Sequence, residues 1–345
     1  FWSPRHLLVV GQVALSLVVL IGAGLFIRSL GKLFAIDPGF NPENTLVMDV
    51  DLPANRYDDQ SGRELFRQLR ERLQALPGVE AVTMANLTPL SNARAMSSFL
   101  VEGMPMKQGE MLTANYSNVG PGYHELMRIP LKAGRGFGEQ DRDTAPGVMI
   151  INEAFAKAYF PNQNPIGKRI SLTTNGPWLE IVGLVGDTKN VFLTENPAPY
   201  FYLPSLQREF DNYQRTLIRT KVDGLQAAAR GAAASLDANL ALAKITTLAD
   251  ELRDSIASSR MATALTTLFG ATALLLAGIG LYGVISYSVS RRTREIGIRI
   301  ALGARPRDAL SMVIKQGMTL ALIGAGLGLI ASLALTRLVK PLLFG

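Results

Sequence analysis

Cysteine is missing from this 345-residue chain, and histidine occurs only twice, as His6 and His124. A chain without cysteine has no disulfide framework, no thiol nucleophile and no thiolate zinc site. With only two histidines, one of them at the edge of an apolar run, a histidine metal centre or a Ser-His-Asp triad is also disfavoured. These absences disfavour hydrolytic and redox chemistry, and we expect neither a metal nor a cofactor.

A nucleotide-binding phosphate loop is missing as well. The nearest approach, Gly167-Lys168, lacks both the upstream glycine and the following hydroxyl of the Gly-x-x-x-x-Gly-Lys-Ser/Thr motif. We therefore expect the chain to bind no nucleotide by that route and to have no enzymatic activity of its own. A membrane-anchored enzyme that uses acidic pairs such as Asp141 and Asp143 is the least favoured alternative.

Charged residues are absent from three long apolar runs, 7–27, 263–289 and 317–335. Each run is long enough, as a helix, to cross a hydrocarbon core of about 30 Å. Helices buried in a large soluble core are the alternative, but uncharged runs of about 20 residues are rare there. A cleaved signal peptide would have a shorter apolar region than 7–27 and a small-x-small site after it, so we interpret this run as a retained span. The sequence therefore predicts three membrane spans with no charged residue for a proton or ion relay.

Basic residues dominate the segment between the second and third runs. Only Glu295 and Asp308 carry negative charge there, against seven basic residues: Arg291, Arg292, Arg294, Arg299, Arg305, Arg307 and Lys315. The positive-inside rule places this segment in the cytoplasm, which puts the region 30–260 on the opposite side of the membrane. Topology and anionic lipid headgroups then account for much of the net charge of +7, and we expect no nucleic-acid partner.

The region between the first two spans alternates strand and helix patterns, which predicts an α+β domain with two lobes. The predicted strands are 46–52, 79–85, 147–151, 168–172, 178–185 and 217–221, and the predicted helices are 62–76, 152–160 and 225–236. We place the start of the second lobe near Gly134. The aromatic run Tyr200, Phe201 and Tyr202 either packs in a strand core, which we favour, or faces a binding cleft. The sequence predicts a helix over 248–260 that leads toward the second span. This helix is either a mere connector or a stiff link that carries movement of the span into the outer domain.

Two neighbouring segments carry a family resemblance. Segment 290–304, which reads Ser-Arg-Arg-Thr-Arg-Glu-Ile-Gly-Ile-Arg-Ile-Ala-Leu-Gly-Ala, follows the glycine-containing stretch 277–287. Together they resemble the permease core of the FtsX/MacB family of ABC transporter subunits. Segments 120–137, 148–160, 165–168 and 181–187 resemble the MacB-type periplasmic core domain. The resemblance covers essentially the whole chain and is strongest to the large duplicated MacB-like permeases, in which 11–17 and 26–40 would begin the second copy.

This resemblance implies an α-helical membrane bundle, with three spans here and four in the full unit, plus an α+β periplasmic domain of porter-like and Sabre-like lobes. The expected boundaries are 1–40 for the first transmembrane helix and stalk, 41–250 for the periplasmic core domain, 251–290 for the stalk and second transmembrane helix, 291–310 for the cytoplasmic coupling loop and 311–345 for the third transmembrane helix. Because the chain begins at Phe1 and stops at Gly345 before a fourth span, we expect it to be a piece of a longer protein.

The same resemblance assigns the basic segment to coupling with an ATPase. The coupling residues would be Arg294, Glu295, Ile296, Gly297, Ile298, Arg299, Leu302 and Gly303. A short helix that carries apolar and charged residues can dock in a groove, with ion pairs fixing its register. An amphipathic helix bound to lipid headgroups is the alternative. Within the spans, the small residues that would allow close helix packing are Gly278, Gly280, Gly283, Gly324 and Gly328.

The implied function is that of a permease subunit of a MacB/FtsX-type ABC transporter. It would transmit ATP-driven conformational change to its periplasmic domain, for efflux or for lipoprotein or macrolide-like export. A separate ABC ATPase would hydrolyse the ATP, and a second permease copy or repeat would complete a dimer or pseudo-dimer. A periplasmic adaptor or cargo and membrane lipids are further expected partners of this multi-pass protein of the bacterial inner membrane. The alternative is a non-transporting FtsX-like regulator of a periplasmic or cell-wall enzyme.

Overall fold

The computed structural model describes residues 4–91, 93–104, 112–174, 176–222, 224–238, 240–255, 257–291, 293–294, 298 and 306–344. The chain divides into two compact units, a helical unit formed by 1–35 with 257–345 and an α+β unit formed by 36–256. The helices are α1 (Pro4–Ala35), α2 (Asp59–Gln74), α3 (Tyr123–Met127), α4 (Glu153–Tyr159), α5 (Gln226–Ala234), α6 (Leu248–Ser255), α7 (Ala257–Arg291) and α8 (Pro306–Phe344). The strands are β1 (Thr45–Asp51), β2 (Val79–Ala85), β3 (Met96–Val101), β4 (Leu112–Val119), β5 (Leu131–Gly134), β6 (Val148–Asn152), β7 (Arg169–Ser171), β8 (Trp178–Val185), β9 (Tyr200–Pro204), β10 (Tyr213–Thr220) and β11 (Ala241–Thr247).

Each helix of the helical unit is long and apolar enough to cross a membrane. The candidate spans are Leu7–Leu25 in α1, Ala264–Arg291 in α7 and Gly317–Leu335 in α8, where the sequence predicts them. Helix α1 packs against both α7 and α8. Large apolar side chains such as Leu275, Tyr282 and Ile330 stay exposed on this unit. Helices that are apolar on every face suit a lipid environment.

The first lobe of the α+β unit is a four-stranded antiparallel sheet in the order β11-β1-β10-β2. Two strand-helix-strand segments build it, β1-α2-β2 and β10-α5-β11. Each segment straddles a strand of the other, which is the split arrangement of ferredoxin-like folds. Helices α2 and α5 cover one face of the sheet, where the core residues include Met48, Val50, Leu65, Phe66, Leu69, Leu73, Ile218, Ala229 and Ala233.

Local signals define both ends of α2. The helix begins at Asp59 because Asp58 and Ser61 form a capping box. The Ser61 N–H donates to Asp58 Oδ1 at 2.8 Å, and the Asp58 N–H donates to Ser61 Oγ at 3.1 Å. After the helix, Gly78 takes a φ of +83°, a conformation that glycine adopts without strain. The turn at Gly78 leads into β2, and the predicted strand 79–85 is confirmed.

The second lobe is inserted between β2 and β10 and forms a closed sheet. Its strands follow the order β4-β3-β7-β8-β6-β9, and the parallel pairing of β9 with β4 closes the ring, while β5 adds to β8. The interior holds Phe99, Phe155 and Phe201, whose ring centroids lie 5.0 to 6.4 Å apart. Backbone pairing of Ala85 in β2 with Val119 in β4 joins the two lobes.

The predicted start of the second lobe near Gly134 is wrong. The lobe begins with β3 at Met96. The prediction misses β3 and β4 because serine, threonine and asparagine weaken the hydrophobic signal of these strands. Strands β5 and β11 are also absent from the prediction. The aromatic run at 200–202 lies buried in β9, which confirms the strand-core interpretation.

Candidate functional site

Glycines at 324 and 328 let α8 approach α1 closely. A Cβ atom on Gly324 would lie 2.8 Å from Val13 Cβ and 2.9 Å from the Val10 carbonyl oxygen. A Cβ atom on Gly328 would lie 2.7 Å from the Ala14 carbonyl oxygen. Both positions face backbone atoms of α1, which cannot turn aside as a flexible side chain does. The two glycines are spaced as in small-x-x-x-small helix contacts in membranes.

The other three predicted packing glycines lie on α7 and behave differently. A Cβ atom on Gly280 would meet the end of the Gln12 side chain at 2.7 Å. A Cβ atom on Gly278 or Gly283 would meet no other heavy atom within 4 Å among the described residues. Contact between α1 and α7 also involves the Ser16 hydroxyl, which donates to the Ala273 carbonyl oxygen at 2.9 Å. A packing role for Gly278 and Gly283 stays a prediction.

The predicted coupling segment, 291–304, is described at a few positions only. Arg294 is exposed, and 56% of the Ile298 surface is accessible. The remaining predicted coupling residues lie outside the described residues: Glu295, Ile296, Gly297, Arg299, Leu302 and Gly303. Docking of this segment on an ATPase therefore stays a prediction from the sequence.

A buried ionic cluster lies in the first lobe, on the sheet face opposite α2 and α5. Arg215 of β10 stands opposite Asp49 of β1 in the strand register, and its Nε donates to Asp49 Oδ1 at 2.9 Å. Its Nη2 donates to Glu251 Oε1 of α6 at 2.5 Å, and its Nη1 donates to the Thr88 hydroxyl. Burial acts to lower the pKa of Arg215, but the carboxylates of Glu251 and Asp49 together raise this pKa above its usual value. The cluster thus joins two strands to the helix that precedes α7.

A cavity of about 380 Å³ adjoins this cluster, and its walls include Asp49, Lys244, Glu251 and Asp254. Two wall oxygens, Ser91 Oγ and Glu251 Oε2, are buried without a hydrogen-bond partner among the described residues. Largely polar walls differ from the apolar pockets that hold drug-sized ligands. No group of three or more metal-ligating side chains occurs in the described part of the chain. We assign no ligand to the cavity.

Asp141 belongs to the acidic pair that the enzyme alternative would use. Its contacts hold the backbone in place. The Arg135 guanidinium donates to both Asp141 carboxylate oxygens at 2.7 Å, and the Gly138 N–H donates to Asp141 Oδ2 at 2.9 Å. The side chain is 3% exposed. These contacts make Asp141 part of the turn that follows β5.

The sequence patterns do not single out the Arg215 cluster. One signal is present, because β10 reads Tyr-Gln-Arg-Thr-Leu-Ile-Arg-Thr, and an arginine buried within a strand needs polar partners. The partners themselves cannot be read from the sequence, since Glu251 and Asp49 lie 36 and 166 positions from Arg215.

Two protein-family models match the chain. The MacB-like periplasmic core domain matches residues 7–248, and the FtsX-like permease C-terminal matches residues 267–345. The chain belongs to the MacB-like family of ABC transporter permeases. This assignment confirms the resemblance carried by segments 120–137 and 290–304.

Several curated proteins are similar to this MacB-like permease. The uncharacterized ABC transporter permease YknZ of Bacillus subtilis is 26% identical over 226 residues, which cover 64% of this chain and 56% of YknZ. The probable syringafactin export ATP-binding/permease protein SyfD of Pseudomonas syringae pv. tomato is 30% identical over 340 residues, which cover 93% of this chain and 48% of SyfD. The chain thus spans about half the length of these relatives. Among solved structures, the periplasmic region of MacB from Actinobacillus actinomycetemcomitans matches with a TM-score of 0.43 and 18% identity, covering 63% of this chain and 94% of that one.

Proposed function

We propose that this MacB-like permease couples ATP hydrolysis by a separate cytoplasmic ATPase to motion of its α+β unit during export across the bacterial inner membrane. The observation that carries the proposal is the order of elements along the chain. Residues 36–256 form one continuous insertion between α1 and α7. Both ends of the α+β unit therefore continue into candidate membrane spans, and a displacement of either helix acts on the unit through its own backbone.

The names of the relatives support a link to ATP hydrolysis. MacB of Acinetobacter baylyi and SyfD are each named as combined ATP-binding and permease proteins, whereas YknZ is named as a permease. The sequence of the present chain contains no Gly-x-x-x-x-Gly-Lys-Ser/Thr loop. We therefore place ATP hydrolysis on another domain or subunit.

We infer the identity of the two lobes and the partners of the permease from its MacB-like family. We assign the first lobe to the porter-like part and the closed second lobe to the Sabre-like part of the MacB-type domain. A second permease copy or repeat would complete a dimer or pseudo-dimer surrounded by membrane lipids. Among the described residues, a Cβ atom on Gly278 or Gly283 would meet no heavy atom within 4 Å, and we infer that a further helix packs at this position. A periplasmic adaptor or cargo would bind the α+β unit, for efflux or for lipoprotein or macrolide-like export.

In this mechanism the ATPase acts on the coupling segment, 291–304. Helix α7 ends at Arg291 and α8 begins at Pro306, so movement of the segment between them displaces both helices. Helix α8 in turn contacts α1 through Gly324 and Gly328. All three helices would therefore respond to one docking event.

The test measures the rate of the copurifying ATPase, reconstituted in proteoliposomes with the full-length permease. Glu295→Lys reverses a charge within the coupling segment and should abolish the permease-dependent change in rate, because ion pairs fix the register of docking. Glu209→Lys makes the same charge change at an exposed position of the α+β unit, outside the cytoplasmic coupling loop 291–310, and should retain the effect.

Wild-type behaviour of both variants would contradict the coupling proposal and would favour the alternative of a headgroup-bound helix. The same purification also addresses the alternative function. Recovery of a cell-wall hydrolase in place of an adaptor or cargo would favour the FtsX-like regulator.

A further inference from the structure

Strand β10 lies inside the first sheet, between β1 and β2, and presents two arginines on one face. Arg215 and Arg219 point to the same side because side chains alternate along a strand. That side is opposite the core formed with α2 and α5. Arg215 is 5% exposed and Arg219 is 4% exposed. Each guanidinium carries five N–H donors, so burial of two of them in one strand requires several acceptors.

Arg215 contacts the outgoing connection, which is helix α6, the element that leads from the α+β unit to α7. Its Nη2 donates to Glu251 Oε1 of that helix at 2.5 Å. The start of α6 is itself fixed by Thr247, whose hydroxyl accepts from the Asp250 N–H at 3.0 Å and donates to Asp250 Oδ2 at 2.6 Å. A capped helix with one ionic contact to β10 thus forms the last element of the α+β unit before α7.

Arg219 holds the incoming connection, residues 36–44, which lead from α1 to β1. Its Nη1 donates to the Glu43 carbonyl oxygen at 3.1 Å, and its Nη2 donates to the Asn41 carbonyl oxygen at 3.0 Å. Its Nε donates to the Leu126 carbonyl oxygen at 2.6 Å. All three acceptors belong to the backbone, two in the incoming chain and one in α3, so Arg219 fixes the course of the incoming chain beside α3 rather than the position of a side chain.

Stability alone gives little reason for an arginine at 219. No carboxylate among the described residues forms an ion pair with Arg219, and its pKa is lowered by burial and then by the nearby Arg128. Desolvation of a guanidinium is costly, and well-packed apolar side chains often serve stability as well as buried charges do. An apolar side chain cannot, however, make directional bonds to three separate carbonyl groups.

We propose that Arg215 and Arg219 are positioning residues that transmit displacement of the two connections to a single strand, β10. The inference rests on the proposed function, because it requires α1 and α7 to move. Movement of α6 would act through Arg215, and movement of 36–44 would act through Arg219. Strand β10 pairs with β2, and β2 is bonded to β4 of the second lobe, so the shift has a route to both lobes.

The test compares two isosteric variants of one cluster in the full-length permease, reconstituted with its ATPase in proteoliposomes. Glu251→Gln weakens the contact of Arg215 with α6 and leaves its pair with Asp49. Asp49→Asn weakens the pair between the strands and leaves the contact with α6, so it is the matched control. We expect Glu251→Gln to reduce the permease-dependent change in ATPase rate by at least about fivefold, because it weakens a charge-assisted hydrogen bond between β10 and α6. Asp49→Asn should retain that change.

Hydrogen exchange on the same samples locates the effect of each substitution. Glu251→Gln should raise exchange in α6 while β1 and β10 stay protected, and Asp49→Asn should raise exchange in β1. Equal loss of coupling in the two variants, or wild-type coupling in Glu251→Gln, would overturn the inference while leaving the proposed function intact. A wild-type permease that leaves the ATPase rate unchanged would instead refute the proposed function and remove the basis of the inference.

Arg219 is tested by a substitution that keeps its charge. A lysine at this position cannot reach three carbonyl groups at once, so Arg219→Lys should reduce coupling as Glu251→Gln does. Arg135→Lys is the control, because it makes the same substitution at an arginine of the second lobe, where it weakens the bidentate ion pair with Asp141. Equal coupling in the two lysine variants would overturn the role of Arg219.

Discussion

Acidification is expected to destabilise the α+β unit through one side chain, His124 of α3. The residue is 2% exposed, and neither ring nitrogen has a hydrogen-bond partner among the described residues. Aromatic rings surround the imidazole, with centroid distances of 4.6 Å to Tyr202, 5.4 Å to Tyr123 and 6.1 Å to Phe137. Burial in this apolar setting lowers the pKa of His124 from 6.5 to about 3.

The direction of the pH effect depends on which state binds the proton. In the unfolded chain His124 is protonated as the pH falls through 6.5, whereas the folded unit excludes the proton until about pH 3. Between these values the unfolded state binds more protons, so the free energy of unfolding decreases as the pH is lowered. Each pH unit below the unfolded pKa costs about 1.4 kcal/mol, which gives about 2 kcal/mol at pH 5. For a unit of this size, that loss lowers the Tm by about 4–8 °C.

The assay is thermal unfolding of the detergent-solubilised protein at pH 7 and pH 5, followed by near-ultraviolet circular dichroism. His124→Phe removes the titrating group from an aromatic environment, so its Tm should fall less than that of the wild type, by about 4–8 °C. His6→Gln removes the other histidine of the chain and should keep the wild-type fall. An equal fall in the wild type and His124→Phe would show that acid acts through other groups and would refute this reasoning.

Two further predictions concern packing and capping. Gly328→Ala presses a methyl group against the Ala14 carbonyl oxygen, so it should destabilise the helical unit by about 1–3 kcal/mol in thermal unfolding in micelles. The methyl group of Gly326→Ala meets no heavy atom of the described residues within 4 Å, so this substitution should be neutral or slightly stabilising. Equal effects of the two substitutions would contradict the contact with α1. Asn152→Ala removes the cap of α4 together with hydrogen bonds of 2.9 Å to the Tyr200 N–H and the Ala198 carbonyl oxygen, so stability should fall by about 3 kcal/mol in urea unfolding. Unchanged stability would show that these bonds are readily replaced.

The helical unit is well predicted from the sequence because its signals are local. A membrane span needs length and the absence of charge, and both can be read from a single window of residues. The faces on which the helices meet cannot be read in this way. Gly324 and Gly328 contact α1, whereas Gly278 and Gly283 meet no described atom within 4 Å, although all four are small residues within spans. Rotation of each helix about its axis, set by its neighbours, decides which glycines are used.

In the α+β unit, prediction succeeds for strands of both lobes but misses β3, β4 and β5 of the second lobe and β11 of the first. Strands β2 and β8 match the predicted ranges 79–85 and 178–185. Strand β4 reads Leu-Thr-Ala-Asn-Tyr-Ser-Asn-Val, in which a short alternation of apolar and polar residues ends at Asn118. It is held by β3 on one side and by the distant strand β9 on the other. Closure of the ring is a non-local property, so the sequence around β4 carries little sign of it.

The order of strands explains why the two connections meet in the first lobe. In the sheet order β11-β1-β10-β2, the first and last strands of the α+β unit are neighbours. Along the backbone, a displacement that starts at α1 passes β1 and β2 before it reaches the second lobe, and one that starts at α7 passes α6, β11 and β10. From α7 the closed lobe is therefore reached through the first lobe. The incoming connection also contacts the second lobe directly, because the Asn41 N–H donates to the Met127 carbonyl oxygen at 2.9 Å and the Lys189 N–H donates to the Pro38 carbonyl oxygen at 2.9 Å. Arg215 and Arg219 shorten both routes, because each bonds a connection directly to β10, the strand next to the one that joins the lobes.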